Sequence, residues 1–234
     1  MSVELIVFDM AGTTVHDSDN VHEALINALA RFGHTINREH ANSVMGIPKP
    51  VAIHTLLTTT LHLTPSPQDI DAIFQEFGTI MRHHYTTSPD VRPTPSAERT
   101  LRTLRTLGIK VALNTGFSSD ITQIIIDRLQ WQDIVDGWVS ADQVPQGRPH
   151  PDMIQFLMHT FGITDPAQVA KVGDTPADLH EGTNAGCSWV IGLTSGSHTR
   201  TELEAHPHTH LVDDLWDVVQ TLSSHPASGP KSGN

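Results

Sequence analysis

Residues 95–222 alternate between segments with the apolar spacing of helices and short apolar runs typical of strands, and this alternation constrains the fold more than any other feature. The helical patterns cover residues 95–107, 120–129, 151–161, 177–185 and 214–222, and the strand patterns cover residues 109–113, 136–139, 168–172, 188–191 and 210–212. A further apolar run at residues 3–8 is typical of a buried strand. Strands that alternate with helices pair in parallel, with helices on both faces of the sheet. We therefore predict an α/β fold built on a doubly wound parallel sheet.

Residues 15–90 differ from the rest because their patterns are all helical. Ser18 or Asp19 is suited to cap a first helix, in which Val21, Leu25, Ile26 and Leu29 recur at helical spacing. Further helices are predicted at residues 38–44, 50–60 and 67–85. We predict a core domain of residues 1–14 and 91–223, an inserted helical cap of residues 15–90, and a disordered Ser/Gly/Pro-rich tail of residues 224–234.

The composition excludes several classes of protein. With 38% hydrophobic and 17% charged residues, the chain of 234 residues has the material for an ordinary folded core. Its formal net charge of −12 repels phosphate backbones, so a nucleic acid is not expected as a partner. The single cysteine, Cys187, forms no internal disulfide. No apolar run reaches the ~18 residues that span a bilayer, and residues 1–10 lack the basic start of a signal peptide. We expect a soluble cytoplasmic protein that does not bind membranes.

The 16 histidines suggest a metal site, but their pattern does not support one. His83 and His84 are adjacent, and His206, His208 and His210 alternate with other residues. No carboxylate or thiol nearby completes a closed ligand set. We interpret these histidines as solvated surface residues.

Polar residues follow four of the predicted strands, where a parallel sheet binds its ligands. They are Asp9, the segment Asn114-Thr115-Gly116, the segment Gly147-Arg148-Pro149, and Gly173-Asp174-Thr175 together with Asp178. A single such residue is as often a helix cap. Four in order predict one binding site at this edge of the sheet.

The residue types indicate phosphoryl chemistry. Asp9 can supply a nucleophilic oxygen, and the backbone N–H groups of the following loop, Gly12-Thr13-Thr14, can bind an anion. Asp174 and Asp178 offer the hard oxygen donors that Mg²⁺ prefers. The cation would shield a phosphoryl group from the attacking carboxylate.

These four segments, in this order, resemble the four motifs of the haloacid dehalogenase superfamily over nearly the whole chain. The resemblance implies a Rossmann-like core with an inserted helical cap, a Mg²⁺ cofactor, and a small phosphonate or phosphate substrate. It implies catalytic roles for Asp9, Thr115 and Arg148, and a metal site formed by Asp9, Ala11, Asp174 and Asp178. It also implies substrate binding by Ala11, Gly12, Thr13, Met45, Gly46, Thr115, Gly116 and Arg148.

Two departures from the common motif pattern point to one subgroup. Ordinary phosphatase members carry a second aspartate that protonates the leaving alcohol, and here Ala11 stands in that position. Ordinary members also carry a lysine before the last motif, and here Arg148 takes that place and is suited to bidentate contact with phosphoryl oxygens or with the carboxylate of Asp9. Both departures resemble the phosphonoacetaldehyde hydrolase (phosphonatase) subgroup.

That subgroup carries a cap lysine that forms a Schiff base, and Lys49 in Met45-Gly46-Ile47-Pro48-Lys49 is the matching residue. Pro50 is suited to the first turn of a helix and disfavours a helical backbone at Lys49. Lys49 is therefore expected at a helix amino terminus, where the positive helix end and burial favour a neutral amine. The subgroup's histidine three residues further on is Ala52 here.

The missing acid and the extra lysine are consistent with C–P cleavage. Breaking a C–P bond leaves an electron pair on carbon, which an iminium on Lys49 can accept. Asp9 would take the phosphoryl group as an aspartyl-phosphate. The alternatives are a phosphatase that acts on a small phosphate monoester and a non-catalytic binding module. The resemblance further implies a homodimer formed through the first cap helix, and the apolar face of residues 21–29 is compatible with it.

Overall fold

The structure is a computed structural model that describes residues 3–224. All of the predicted disordered tail except Ser224 lies outside the described residues. Ser224 itself ends the last helix, so the tail prediction begins one residue too early.

A six-stranded parallel sheet forms the centre of the molecule, with the strand order β3-β2-β1-β4-β5-β6. The strands are β1 (Leu5–Asp9), β2 (Lys110–Thr115), β3 (Gly137–Ser140), β4 (Val169–Gly173), β5 (Trp189–Leu193) and β6 (His210–Val212). Because β1 lies between β2 and β4, the carboxyl ends of these three strands adjoin. The predicted α/β fold with a Rossmann-like doubly wound parallel sheet is confirmed.

The sheet is covered on both faces because side chains alternate along its strands. Ile6 and Phe8 belong to one apolar cluster, whereas Leu5 and Val7 belong to another. The six helices that follow residue 90 are α5 (Ala97–Thr106), α6 (Ser119–Leu129), α7 (Asp152–Phe161), α8 (Pro176–Asn184), α9 (Arg200–Glu204) and α10 (Leu215–Ser224). Helices α5, α6 and α10 contribute to the first cluster, and α7 contributes to the second.

Residues 15–90, called the helical segment below, contain α1 (Asn20–Arg31), α2 (Arg38–Asn42), α3 (Lys49–Thr55) and α4 (Pro67–Thr87). Helix α1 packs against α4, and α4 also packs against α6 of the sheet's outer layer. Val21, Leu25 and Leu29 are buried in the same apolar cluster as residues of α4. The apolar face that was compatible with dimerisation is thus largely covered within one chain, and the homodimer stays a prediction, as does the division into two domains.

The chain enters and leaves the helical segment through two adjacent stretches of backbone. The N–H of His16 donates to the carbonyl of Arg92 (2.9 Å), and the N–H of Thr94 donates to the carbonyl of Thr14 (3.0 Å). Val15 and Pro93 form an antiparallel bridge between these bonds. The two crossings are therefore hydrogen-bonded side by side.

Two elements differ from the sequence prediction. The helix predicted at residues 50–60 is α3 followed by a π-helical turn, Leu56–Thr60. Helix α9 was not predicted, because its five residues are too few to show an apolar period. Its signal was the capping box, in which the hydroxyl of Thr199 accepts from the N–H of Glu202 and the carboxylate of Glu202 accepts from the N–H of Thr199.

The histidines form no metal site among residues 3–224, where the only group of suitably placed ligands consists of aspartates. His83 and His208 are exposed, as expected for surface residues. The expectation is wrong for His84, His206 and His210, which are half-buried. The ring of His84 packs against Tyr85, a ring nitrogen of His206 lies 3.1 Å from one of His180, and the ring of His210 stacks on Trp189. No helix of this part of the chain is long and apolar enough to cross a membrane.

Candidate active site

Three carboxylates meet where β1 and β4 end. Asp9 is the last residue of β1, Asp174 follows β4, and Asp178 lies in the first turn of α8. One oxygen of each lies within 4.8 Å of the others, and all three side chains are buried. Three hard oxygen donors at this separation fit Mg²⁺. Ala11, the fourth residue implied for the metal site, follows Asp9 by two residues and lines a cavity that Asp9 also lines.

Neighbouring donors orient two of the carboxylates. The Thr13 hydroxyl donates to Asp174 (2.8 Å), and both the N–H (2.7 Å) and the hydroxyl (2.6 Å) of Ser197 donate to its other oxygen. The Thr175 hydroxyl donates to Asp178 (2.5 Å). Thr13 was predicted to bind substrate, but its hydroxyl is engaged in holding Asp174.

Glycines allow the backbone to approach these carboxylates closely. A Cβ atom added to Gly12, whose φ is +88°, would lie 2.5 Å from an oxygen of Asp174. One added to Gly173 would lie 2.2 Å from Cγ of Asp178. Both distances are far below van der Waals contact, so the site requires glycine at these positions.

Arg148 is buried and connects the acidic cluster to the centre of the sheet. Its guanidinium lies 2.7 Å from Asp9, 2.9 Å from Asp178 and 3.3 Å from Glu181. It also donates to the carbonyl of Asn114 (2.9 Å). The structure thus brings Arg148 to Asp9 as predicted, with its other nitrogens already engaged by carboxylates.

Lys171, which was not predicted from the sequence, belongs to the same network. Its ammonium lies 2.9 Å from Asp178 and 3.2 Å from Glu181, and it donates to the amide oxygen of Asn114 (2.6 Å). The interpretation of Arg148 as a replacement for a lysine was therefore incomplete, because the site holds both cations. The available signal was a lysine inside an otherwise apolar buried strand, together with Glu181 one helical turn after Asp178.

The charges of this network are unbalanced in a way that suits a divalent cation. Asp9, Asp174, Asp178 and Glu181 carry four formal negative charges, and Arg148 and Lys171 carry two positive ones. Burial raises the pKa of Asp9 to about 7, although Arg148 opposes the shift. Burial and the charge of Asp178 likewise raise the pKa of Asp174. A cation of charge two would neutralise the excess, so the residues fit Mg²⁺.

Lys49 lies at a helix amino terminus, as predicted from Pro50, and it is itself the first residue of α3, a position that was expected for Pro50. Its side chain is 4% exposed. Its ammonium lies 5.7 Å from the centre of the Phe77 ring. Burial, and next the charge of Arg148, lower the pKa of Lys49 to about 8, whereas Asp9 and Asp17 oppose the shift. A considerable fraction of this amine is therefore neutral near physiological pH.

The segment that carries Lys49 packs directly on the core. A Cβ atom on Gly46 would lie 2.2 Å from the Thr175 hydroxyl, and one on Gly147 would lie 2.5 Å from Pro48. The Gly116 backbone lies against the carbonyl of Ile47, where a Cβ atom would come within 3.2 Å. A larger residue would clash at Gly46 and at Gly147, and at Gly116 it would require the backbone of Ile47 to shift by a few tenths of an ångström.

Between the helical segment and the core lies a cavity of about 40 Å³ that is called the inner cavity below. It is lined by Asp9, Ala11, Asp17, Val21, Met45, Gly46, Lys49, Thr115, Gly116, Phe117, Thr175 and Ser197. Of the predicted substrate-binding residues, this set contains Ala11, Met45, Gly46, Thr115 and Gly116. Gly12 lies instead in an adjoining open cleft of about 550 Å³, and Arg148 lies in the charged network.

The model of the haloacid dehalogenase-like hydrolase family matches residues 6–191 of this chain. The chain belongs to that family. As a haloacid dehalogenase-like hydrolase it is an enzyme, which excludes the non-catalytic binding module.

Named relatives and solved structures agree with this family. The chain is 30% identical over 244 residues to the phosphonoacetaldehyde hydrolase of Bacteroides fragilis, covering 97% of this chain and 90% of that protein. A phosphonoacetaldehyde hydrolase-like protein from Oleispira antarctica has a similar structure, with a TM-score of 0.82, 21% identity, and coverage of 96% and 92% of the two chains. A predicted phosphoglycolate phosphatase from Haemophilus somnus reaches a TM-score of 0.77 at 21% identity, covering 94% and 97%. The two structural matches show the shared fold.

Four further residues of this hydrolase line the inner cavity without having been predicted, namely Asp17, Val21, Phe117 and Ser197. Phe117 follows the Thr115 segment, and its N–H donates to the Thr115 hydroxyl (3.2 Å). Asp17 and Val21 come from the start of the helical segment. Their positions depend on how that segment packs on the core, which no local motif encodes.

Proposed function

We propose that this haloacid dehalogenase-like hydrolase cleaves the C–P bond of phosphonoacetaldehyde or a near oxo-alkylphosphonate with Mg²⁺ as cofactor. One observation carries the proposal. A buried lysine with a lowered pKa shares a small cavity with the carboxylate of Asp9, while position 11 carries only a methyl group. A phosphatase needs an acid for its leaving alcohol, whereas C–P cleavage needs an electron acceptor on the carbon side. The similarity to a named phosphonoacetaldehyde hydrolase supports the same reaction.

In this mechanism Lys49 binds the aldehyde and Asp9 takes the phosphoryl group. The amine of Lys49 condenses with the carbonyl to form an iminium and water. The Asp9 carboxylate then bonds to phosphorus as the C–P bond breaks, and the released electron pair moves into the iminium to give an enamine. Protonation and hydrolysis of the enamine release the aldehyde product, and water hydrolyses the aspartyl-phosphate.

The other residues of the site hold these groups in place. Arg148 holds Asp9 at 2.7 Å, and Thr115 and the backbone of Gly116 line the cavity beside it. Asp9, Asp174 and Asp178 would hold Mg²⁺, which would lessen the repulsion between the phosphoryl oxygens and the attacking carboxylate.

The size of the inner cavity favours a substrate of few atoms. Its 40 Å³ correspond to about three water molecules. A two- or three-carbon phosphonate needs only modest opening of the helical segment, whereas a hexose phosphate would displace it much further. Phe117, Val21 and Met45 add apolar surface that suits a short carbon chain.

A phosphatase for a small phosphate monoester is the second candidate. Asp9, Thr115, Arg148 and Asp174 form a phosphoryl site that does not depend on Lys49. This candidate leaves the burial of Lys49 in the same cavity without a purpose.

Phosphate release from phosphonoacetaldehyde, phosphoglycolate and glucose 6-phosphate would separate the two candidates. We expect the phosphonate to be hydrolysed fastest. Borohydride added together with it should reduce the imine to a stable adduct on Lys49, which mass spectrometry detects. Lys49→Arg keeps the charge but has no neutral amine, so it should lose C–P cleavage by several orders of magnitude. Lys110→Arg, at an exposed lysine paired with Asp136, is the matched control and should keep full activity. Faster hydrolysis of a monoester, with no adduct on Lys49, would favour the phosphatase.

A further inference from the structure

The inner cavity contains a carboxylate that takes no part in the steps of the proposed reaction. Its titratable side chains are Asp9, Asp17 and Lys49. Asp9 is the proposed nucleophile and is held by Arg148. Imine formation requires proton transfers at Lys49, yet positions 11 and 52, where related enzymes place an acid and a histidine, carry methyl groups. Asp17 is therefore the remaining group in the cavity that can carry these protons.

The backbone around Asp17 orients its side chain. One carboxylate oxygen, Oδ1, accepts from the N–H groups of Asn20 (2.7 Å) and Val21 (3.4 Å) at the start of α1. Within residues 3–224, no hydrogen bond or ion pair engages the second oxygen, Oδ2. The helix start thus fixes the carboxylate and leaves one oxygen available.

Asp17 also connects the inner cavity to solvent. It lines both the inner cavity and the adjoining open cleft of about 550 Å³. Ser197 lines both as well, but its hydroxyl and N–H are engaged by Asp174. A carboxylate in this position can exchange protons with water while the helical segment covers Lys49.

We propose that Asp17 is a catalytic residue that carries protons between the Lys49 amine and the substrate carbonyl oxygen. The inference rests on the proposed function, because it concerns the imine step of that reaction. The charge of Asp17 also acts on the Lys49 ammonium, which supports their proximity.

The proton balance of the step needs no further reactant. The Lys49 ammonium has three protons, and the iminium nitrogen retains one. Asp17 takes the other two in turn and passes both to the carbonyl oxygen. The N–C bond forms, the C–O bond breaks, and the oxygen leaves as water. Asp17 ends as a carboxylate, and the reverse sequence hydrolyses the imine of the product.

The test measures imine formation in a background that cannot complete the reaction. In Asp9→Asn the nucleophile is absent, so the phosphonoacetaldehyde imine accumulates and borohydride quenching at successive times gives its rate of formation. Adding Asp17→Asn keeps the Oδ1 acceptor for α1 but removes the proton carrier. We expect the rate to fall about 100-fold. Asp17→Glu should recover part of it.

Asp19→Asn is the matched control, because Asp19 lies two residues away and pairs with Arg38 at the surface. In this variant the borohydride-trapped adduct on Lys49 should form at the same rate as in the Asp9→Asn parent. Competition by inorganic phosphate should be equal in the Asp9→Asn parent and in each variant made from it, since they share the same core site. If the adduct forms in Asp17→Asn at the rate of the Asp9→Asn parent, Asp17 is not the proton carrier. The same conclusion follows if Asp17→Asn also weakens the binding of competing inorganic phosphate severalfold.

These outcomes are separate from failure of the proposed function. If the Asp9→Asn parent itself gives no adduct on Lys49, the imine mechanism is wrong whatever Asp17 does. If the parent gives the adduct and Asp17→Asn gives it equally fast, only the role of Asp17 is overturned.

Discussion

Replacing Gly46 with alanine should separate catalysis from folding, because Gly46 lies where the helical segment is seated on the core. Its φ of +80° is in the left-handed region, and an added Cβ atom would lie 2.2 Å from the Thr175 hydroxyl. That hydroxyl cannot easily move away, since it donates to Asp178 and accepts from the Asp178 N–H as the cap of α8.

The size of the effect follows from these distances. The methyl group would be about 1.2 Å closer than the 3.4 Å at which ordinary contact begins, so the segment carrying Lys49 must shift by about that amount. A misplacement of ~1 Å in a catalytic group can lower the rate about 100-fold. The left-handed backbone adds a cost of roughly 1–2 kcal/mol to the free energy of folding.

Gly33→Ala is the matched control. Gly33 has the same φ of +80°, but an added Cβ atom meets nothing within 4 Å. Both variants should therefore lose similar stability from the backbone, as measured by urea denaturation, while only Gly46→Ala loses most of its phosphate release. If Gly46→Ala keeps wild-type turnover while losing as much stability as Gly33→Ala, the helical segment does not position Lys49 in the way described.

Four further predictions concern the charged groups. Asp9→Asn should abolish phosphate release while circular dichroism shows an unchanged fold, and turnover near the original rate would exclude Asp9 as nucleophile. Removal of Mg²⁺ with a chelator should stop turnover and added Mg²⁺ should restore it, so full activity in excess chelator would contradict a metal mechanism. The rate of borohydride trapping at Lys49 should rise with pH to a midpoint near 8 and level off above it, because the neutral amine predominates above the lowered pKa; a midpoint near the ordinary lysine value of 10.5 would show that burial does not shift this pKa. Lys171→Met should lower the free energy of unfolding by about 3–5 kcal/mol, since it leaves buried carboxylates without their cation; a loss below about 1 kcal/mol would mean that Arg148 alone balances them.

The strand ends were predictable because a local pattern encodes them. An apolar run that stops at a polar residue places that residue at the carboxyl edge of a parallel sheet, and this pattern alone is enough to locate Asp9, Asn114 and Asp174. The position of Lys49 at a helix amino terminus followed in the same way from Pro50, although the helix begins at Lys49 itself, one residue before the expected start.

Lys171 and Asp17 were not predictable by this reasoning, for two physical reasons. A lysine within a strand is favourable only if distant carboxylates reach it, and its partner amide, Asn114, is contributed by a different strand. Asp17 lies in a loop without periodicity, and its access to Lys49 depends on how a whole segment is seated. The roles of both residues thus depend on contacts between distant parts of the chain, which a local sequence pattern does not encode.

The paired crossings at Val15 and Pro93 have a consequence for how such enzymes can be altered. Because the chain leaves and re-enters the core at adjacent, hydrogen-bonded points, no strand pairing of the sheet runs through the segment between them. For an insert whose two ends meet at these points, the entropic free energy of loop closure grows only slowly with the length of the insert. Residues 16–92 could accordingly be exchanged for the corresponding insert of a relative without changing any strand pairing. Such chimeras would transfer the substrate-covering residues as one block and leave the phosphoryl-handling half of the molecule intact.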